Sequence, residues 1–205
     1  MKIHNCEQRT DEWFAVRNLK MTASNASAIS ACGKGLETYA KELVAEFLGG
    51  HKEIYVNGDM QRGIELEDEA RAFAEQLTGL KFDQVGFIEM NNRVGASPDG
   101  VIFDKNGKIE KLIEIKNHND KVFLDLILTN EIDKKYIAQM QMQMLVCECD
   151  ECLYFGYNQN VKPYYFMRWI KADKKIQEKL ISGFEKCQQL IDEYLLKAFE
   201  YENKN

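Results

Sequence analysis

Long apolar runs are missing from this chain: nothing in it approaches the roughly 20 residues that a membrane-spanning helix needs. Met1–Cys6 has none of the character of a secretory leader, so a cytoplasmic location is expected. Proline is scarce, with 2 in 205 residues. No low-complexity tract or internal repeat interrupts the chain, which leaves no linker and predicts a single domain over 1–205. Basic charge is also short. Lys and Arg number 27 against 33 Asp and Glu, a net charge of −6. That counts against strong non-specific binding of nucleic acid, so any such contact has to be local or held by shape. Gly33-Lys34-Gly35 lacks the length and the following Ser or Thr of a phosphate-binding P-loop. Cys147, Cys149 and Cys152 have no second pair to complete a cluster site, so no iron–sulfur cluster is expected. The 6 cysteines read instead as free thiols.

What is present centres on Gly95–Lys116, which reads GASPDGVIFDKNGKIEKLIEIK. Two strand-like runs, Val101–Phe103 and Lys111–Lys116, are joined through Asn106-Gly107, a strong hairpin signal. A two-residue loop there sets Asp99 directly opposite Glu114, and a β-bulge would spoil that pairing. Cross-strand neighbours on one face have Cβ atoms roughly 4.5–5.5 Å apart, where like charges repel. Two carboxylates so placed point to a cation between them. Alternation along the strand adds Lys116 to their face and sends Ile113 and Ile115 to the other, into a core.

The remainder predicts helices and strands around that hairpin. Thr10 and Asp11 open a short helix that Arg17 ends, and Thr22-Ala23-Ser24 open a second with Ala26, Ala28 and Ile29 inward. Arg17 beside those hydroxyls makes a candidate phosphate site. Spacing alone reads it equally as a surface arginine. Cys32–Gly35 is expected as loop, Leu36–Leu48 as a helix stopped by Gly49-Gly50, and Gln61–Leu77 as a helix with Leu66, Ala70, Phe73 and Leu77 inward. Glu67 shares a small-residue stripe with Gly63, Ala70 and Ala74. It reads as a solvated acid, though a carboxylate on that stripe can also reach the hairpin. A strand is expected at Lys81–Met90. Asn117–Asp120 reads as a polar turn with His118 solvated or near a phosphate, followed by a helix near Val122–Leu128. Asp133 caps a helix to Val146 whose Ile137, Met140 and Met144 face a core, while Tyr136, Gln139 and Gln143 form a parallel polar stripe. Strands at Leu153–Tyr157 and Tyr164–Ile170 precede a long helix from Asp173 towards Tyr201.

Four patches in order give the chain a resemblance. They are Glu12-Trp13 through Arg17 with Met21–Ser24; Gly63–Glu67 with Ala70-Arg71; Ser97–Gly100 with Glu114-Ile115-Lys116; and Tyr136–Gln141. Together they resemble the phage lambda exonuclease, or YqaJ-like viral recombinase, branch of the PD-(D/E)XK nucleases. The resemblance implies an α/β fold of restriction-endonuclease type, a mixed central β-sheet flanked by helices. It implies Mg²⁺, with Mn²⁺ as a substitute, bound by Asp99, Glu114 and the backbone carbonyl of Ile115, with Glu67 close by. Lys116 would orient or deprotonate the attacking water, Gln139 and Tyr136 would wall the site, and Arg17 and Ser24 would receive a terminal 5′ phosphate. The implied activity is 5′-to-3′ digestion of one strand of linear duplex DNA, leaving 3′ overhangs. Implied partners are duplex DNA ends, a single-strand annealing protein and two further copies in a trimeric ring, in a bacterial or phage-infected cytoplasm. Leu19-Lys20 stand where the family often has glycine, Asn117-His118 replace an apolar residue and a proline, and the hairpin is longer than in the lambda enzyme. Two other readings stay open: a nuclease of the same superfamily with another mode of cutting, and a DNA-end-binding protein without chemistry. Intact Asp99, Glu114 and Lys116 argue against the latter.

Overall fold

The computed structural model describes residues 1–49 and 58–204. It opens with β1 (Lys2–His4), α1 (Asp11–Arg17) and β2 (Met21–Thr22), then α2 (Ala26–Ala31) behind a single 3-10 turn, and α3 (Lys34–Gly49). α4 (Gly58–Thr78) leads to β3 (Phe87–Asn91), β4 (Val94–Ala96), β5 (Gly100–Phe103) and β6 (Ile109–Asn117). The chain continues through α5 (Asp120–Thr129), α6 (Lys134–Cys147), β7 (Glu151–Tyr157) and β8 (Tyr165–Lys171) to α7 (Lys174–Glu202). Helix starts follow cap chemistry. Side-chain oxygens of Thr10, Asn119, Asp133 and Asp173 each accept a backbone N–H of the turn that follows. Cys32 takes a left-handed φ of 52° and lets α3 begin at Lys34, so the expected Cys32–Gly35 loop is shorter than its glycines suggest. The expected stop at Gly49-Gly50 extends to Gly50, outside the described residues.

The larger sheet runs β5-β6-β7-β8, with β6 and β7 parallel and the outer pairs antiparallel. β6 and β7 are its inner strands, covered on both faces, as their nearly continuous apolar sequence requires. On one face Ile113, Ile115, Leu153 and Phe155 pack beneath α4 through Ala70 and Ala74. Those small side chains let the helix approach closely. Leu77 is exposed, so α4 turns Ala70, Phe73 and Ala74 inward rather than the expected leucine. The opposite face adds Leu112, Cys152 and Tyr154 to the main core, with Met140 and Met144 of α6, Ile29 of α2 and Leu180 and Cys187 of α7. This is the mixed sheet flanked by helices that the resemblance implies.

A second sheet, β1-β3-β4-β2, has no counterpart as a sheet among the sequence expectations, which give only the strand over Lys81–Met90. Its strands span two to five residues, too short for periodicity to declare them. The strand expected over Lys81–Met90 begins at Phe87, and Thr22, expected to open a helix, ends β2. α6 packs against strands of both sheets and joins them.

The hairpin keeps the predicted register by a different route. Gly100 pairs with Ile113, Val101 with Leu112 and Ile102 with Lys111, the alignment that points Asp99 at Glu114. The turn is not two residues long. The Asp104 N–H donates to the Lys108 carbonyl at 2.7 Å and the Gly107 N–H to the Asp104 carbonyl at 3.0 Å, so three residues form the loop. Of these Gly107 has positive φ, 78°, and Asn106 does not. The Asp104 carboxylate accepts the N–H groups of Asn106 and Lys108 at 2.7 and 2.9 Å. A register shift follows between Ile102 and Phe103. The bulge does not spoil the alignment; it cancels the extra loop residue.

Candidate active site

Ser97-Pro98-Asp99-Gly100 carries the first acid, and side chains from three distant segments hold it. Trp13 of α1 donates Nε1–H to Ser97 Oγ at 2.9 Å and to the Gly86 carbonyl at 3.0 Å. Gln8 Nε2 donates to the Pro98 carbonyl at 3.3 Å. Arg71 of α4, itself buried, donates to the Asp99 carbonyl at 2.9 Å. Gly100 is required by close approach: a Cβ there would lie 2.9 Å from Ile113 and from Phe82. With its backbone fixed, Asp99 turns its carboxylate across to β6, where Oδ2 accepts the Ile115 N–H at 2.7 Å.

Glu114 projects from β6 into the main core and is 1 % exposed. A carboxylate at such depth needs hydrogen-bond donors to remain charged. Lys116, on the same face two residues along, donates to Oε1. Gln139 of α6 donates to Oε1 at 2.6 Å, and Gln143, one turn further, to Oε2 at 2.6 Å. The Lys116 ammonium also lies 5.1 Å above the ring of Tyr136, an arrangement that favours the cation. Burial opposes charge on Lys116, but Glu114 and Asp99 outweigh it and hold the ammonium above its ordinary value. The Asp99 value also rises, which for an acid works against its charged form. Burial raises its carboxyl well above the usual range, and the charge of Glu114 adds to this, with a smaller contribution from Glu67.

Glu67 therefore approaches the group from α4, at the edge of the small-residue stripe, and is not the solvated acid that spacing favours. Its Oε2 accepts from Arg9 at 2.7 Å. Asp99, Glu114, Ile115, Lys116, Glu67, Gln139 and Tyr136 are brought together. Among the described residues, no group of three or more His, Cys, Asp and Glu side chains is arranged to hold a metal ion as it stands.

Arg17 is joined to the first group through one indole. The Arg17 guanidinium lies 3.7 Å over the Trp13 ring, whose N–H reaches Ser97. Burial draws the Arg17 pKa down to about 10. Ser24 is exposed and its Oγ is 3.2 Å from Thr22 Oγ1. The Thr22 N–H donates at 3.0 Å to the Tyr39 hydroxyl, a phenol that burial keeps in its neutral form.

His118 corrects its expectation. It is buried, not solvated, with Nε2 2.7 Å from the Tyr154 hydroxyl, and burial aided by Lys116 and Lys135 draws its pKa down to about 4. Asn117 likewise turns inward and donates to the Gly63 carbonyl at 2.8 Å, tying β6 to α4. Sequence reasoning gives no task to Gln8 or Arg71, and reads Gln143 as rim of the core or as part of an amide stripe that orients a water or a phosphate, not as a donor to Glu114. Gln143 leaves a signal in the polar stripe of α6, and Arg71 in its adjacency to Ala70.

The profile of the YqaJ-like viral recombinase domain matches residues 12–150. An alkaline exonuclease from Laribacter hongkongensis, LHK-Exo, is similar in structure, with a TM-score of 0.80 and 32% identity over 94% of this chain and 100% of that one. The same protein in complex with dAMP matches with the same TM-score and identity. A phage related exonuclease from Haemophilus somnus 129PT shares the fold at a TM-score of 0.69 and 15% identity, covering 90% of this chain and 98% of that one. No curated protein matches.

Proposed function

This chain belongs to the YqaJ-like viral recombinase family, and from that premise we propose that it is a metal-dependent 5′-to-3′ exonuclease of phage type. Its fold is of the PD-(D/E)XK type. In this reading one nuclease domain digests one strand of linear double-stranded DNA. It leaves 3′ overhangs for single-strand annealing. The observation that carries it is the pair of acids, Asp99 and Glu114, which the hairpin register sets opposite each other and whose charges interact, beside the Lys116 ammonium.

The residues fit a hard divalent cation. Asp99 has its carboxyl raised partly by the charge of Glu114, and a cation between like charges relieves that repulsion. The donors are all oxygen: the two carboxylates and the Ile115 carbonyl, with Glu67 adjacent. A set this small suits Mg²⁺ or Mn²⁺, since Mg²⁺ usually keeps several waters. When bound, the ion supplies charge to the scissile phosphate and lowers the pKa of a water. Lys116 orients the attacking water and offsets charge that builds on the phosphoryl oxygens. Gln139 steadies Glu114, and Tyr136 forms the wall beside the ammonium. Arg17 and Ser24 receive the terminal 5′ phosphate at the far side of Trp13.

A net charge of −6 leaves few phosphate contacts, each of which weakens as salt rises. Enclosure solves that difficulty. We assign the chain to a homotrimeric ring with Arg17, Lys20 and Lys121 towards the channel, delivering its product to a single-strand annealing protein. Linear duplexes labelled at the 5′ or the 3′ end test the activity: with Mg²⁺, label at the 5′ end is released first and a closed circular duplex is untouched. Cutting of the circle would mean an endonuclease. Mass in solution tests the ring.

A further inference from the structure

Gln143 has no part in the chemistry so far, yet its surroundings are unusual. It is fully buried on α6, and its Nε2 donates to Glu114 Oε2 at 2.6 Å. Its own Oε1 is buried without a hydrogen-bond partner. An unsatisfied buried acceptor lowers stability, and a methionine would fill the same space without one. The position therefore serves Glu114 and not the core. The two oxygens of Glu114 also differ. Oε1 meets Lys116 and Gln139, both half-exposed on the side of Asp99, whereas Oε2 meets Gln143 in the interior.

We infer that Gln143 is a positioning residue that locks Oε2 into the core and so presents Glu114 to a cation through Oε1 alone. The inference rests on Glu114 being a ligand, as proposed above. Its consequence is a choice between cations. Mg²⁺ keeps near-octahedral geometry with its waters, whereas Ca²⁺ takes more oxygens and readily accepts both from one carboxylate. A glutamate with one oxygen available suits the first and handicaps the second. Gln143 thereby selects against Ca²⁺.

Calorimetric titration of the full chain with MgCl₂ and with CaCl₂, without DNA, tests this. Gln143→Met frees Oε2 and should improve Ca²⁺ affinity relative to Mg²⁺ by about 10-fold, the scale of effects seen when groups behind metal ligands are changed. Gln139→Met removes a donor from Oε1 and frees no second oxygen, so its ratio should stay within about twofold of the unaltered chain. An unchanged ratio in Gln143→Met, or equal shifts in both variants, overturns the inference. If Gln143→Met does not fold, infrared spectra of the unaltered chain decide, with Glu114 isolated by difference from Glu114→Gln. Under Mg²⁺ the splitting between its carboxylate stretches should be wider than in the free ion, the signature of one-oxygen binding; a narrower splitting refutes it. Should Glu114→Gln bind both ions as tightly as the unaltered chain, Glu114 is no ligand and both readings fall. A lost affinity there with an unshifted ratio in Gln143→Met sinks this inference alone.

Discussion

Lowering the pH from 7 to 4 should cost the fold about 3 kcal/mol through one side chain, His118. The ring is buried, its Nε2 is 2.7 Å from the Tyr154 hydroxyl, and Tyr136 and Tyr154 flank it. Burial first, then the nearby ammonium groups of Lys116 and Lys135, bring its pKa from 6.5 to about 4. The unfolded chain therefore binds a proton that the folded chain refuses throughout that interval. Stability from this source is complete above the unfolded value and is lost as pH falls towards the folded one. Each pH unit between the two values is worth about 1.4 kcal/mol, so the full interval amounts to roughly 3 kcal/mol. For a chain of this size that is a fall in Tm of about 6–12 °C. Other acids contribute to any acid unfolding, so the comparison must isolate the ring. His118→Gln keeps a polar side chain that does not titrate here. Denaturant unfolding at pH 7 and pH 4.5 should show the unaltered chain losing about 2 kcal/mol more than the variant. Equal losses would refute the assignment, as would an imidazole that titrates near 6.5 by NMR in the folded protein.

Lys116→Ala should abolish DNA digestion while Mg²⁺ still binds, because lysine supplies no ligand; near-normal turnover would remove its proposed role. Arg71→Met leaves the Asp99 carbonyl without its donor and should cost about 1–3 kcal/mol in denaturant unfolding, with digestion slowed at pH 7. Gly183→Ala should destabilise by about 1–3 kcal/mol despite alanine's better helix propensity, because its Cβ would stand 2.2 Å from the Ile29 carbonyl oxygen. Its Tm measures that, and an unchanged value would mean that α7 shifts away from α2 at no cost.

Legibility in the sequence depends on the range of the interaction. Asp99, Glu114 and Lys116 can be placed together because hairpin pairing and strand alternation are local rules. The stripes of α6 and α7 are legible for the same reason, and Gln143 lies on the right one. The props of the SPDG segment are not. Trp13 reaches Ser97 and Arg71 reaches Asp99 across long stretches of sequence, and such contacts leave no periodic trace. His118 misleads because four polar residues in a row resemble a solvent-facing turn. Its backbone N–H in fact continues the sheet, donating to the Tyr157 carbonyl at 3.0 Å, and so carries the ring inward. β1 and β2 exist through their partners in the second sheet, and three or two residues cannot announce that in isolation.

The hairpin imposes a rule of parity on how this protein can change length. Its three-residue loop and the shift beside Phe103 cancel, which leaves Gly100 opposite Ile113 and Asp99 facing Glu114. Adding or deleting one residue in Asp104–Lys108, with the three-residue closure and the bulge both kept, would slide β5 by one step and turn every one of its side chains to the opposite face. A slip of two preserves the faces but takes Asp99 away from Glu114, and a change of one residue keeps both when the bulge is created or lost with it. Relatives with longer or shorter hairpins should therefore absorb the change in the loop or carry a compensating bulge, and a peptide tag inserted at Asn106 leaves the acids aligned when its added loop closes on itself above Asp104 and Lys108.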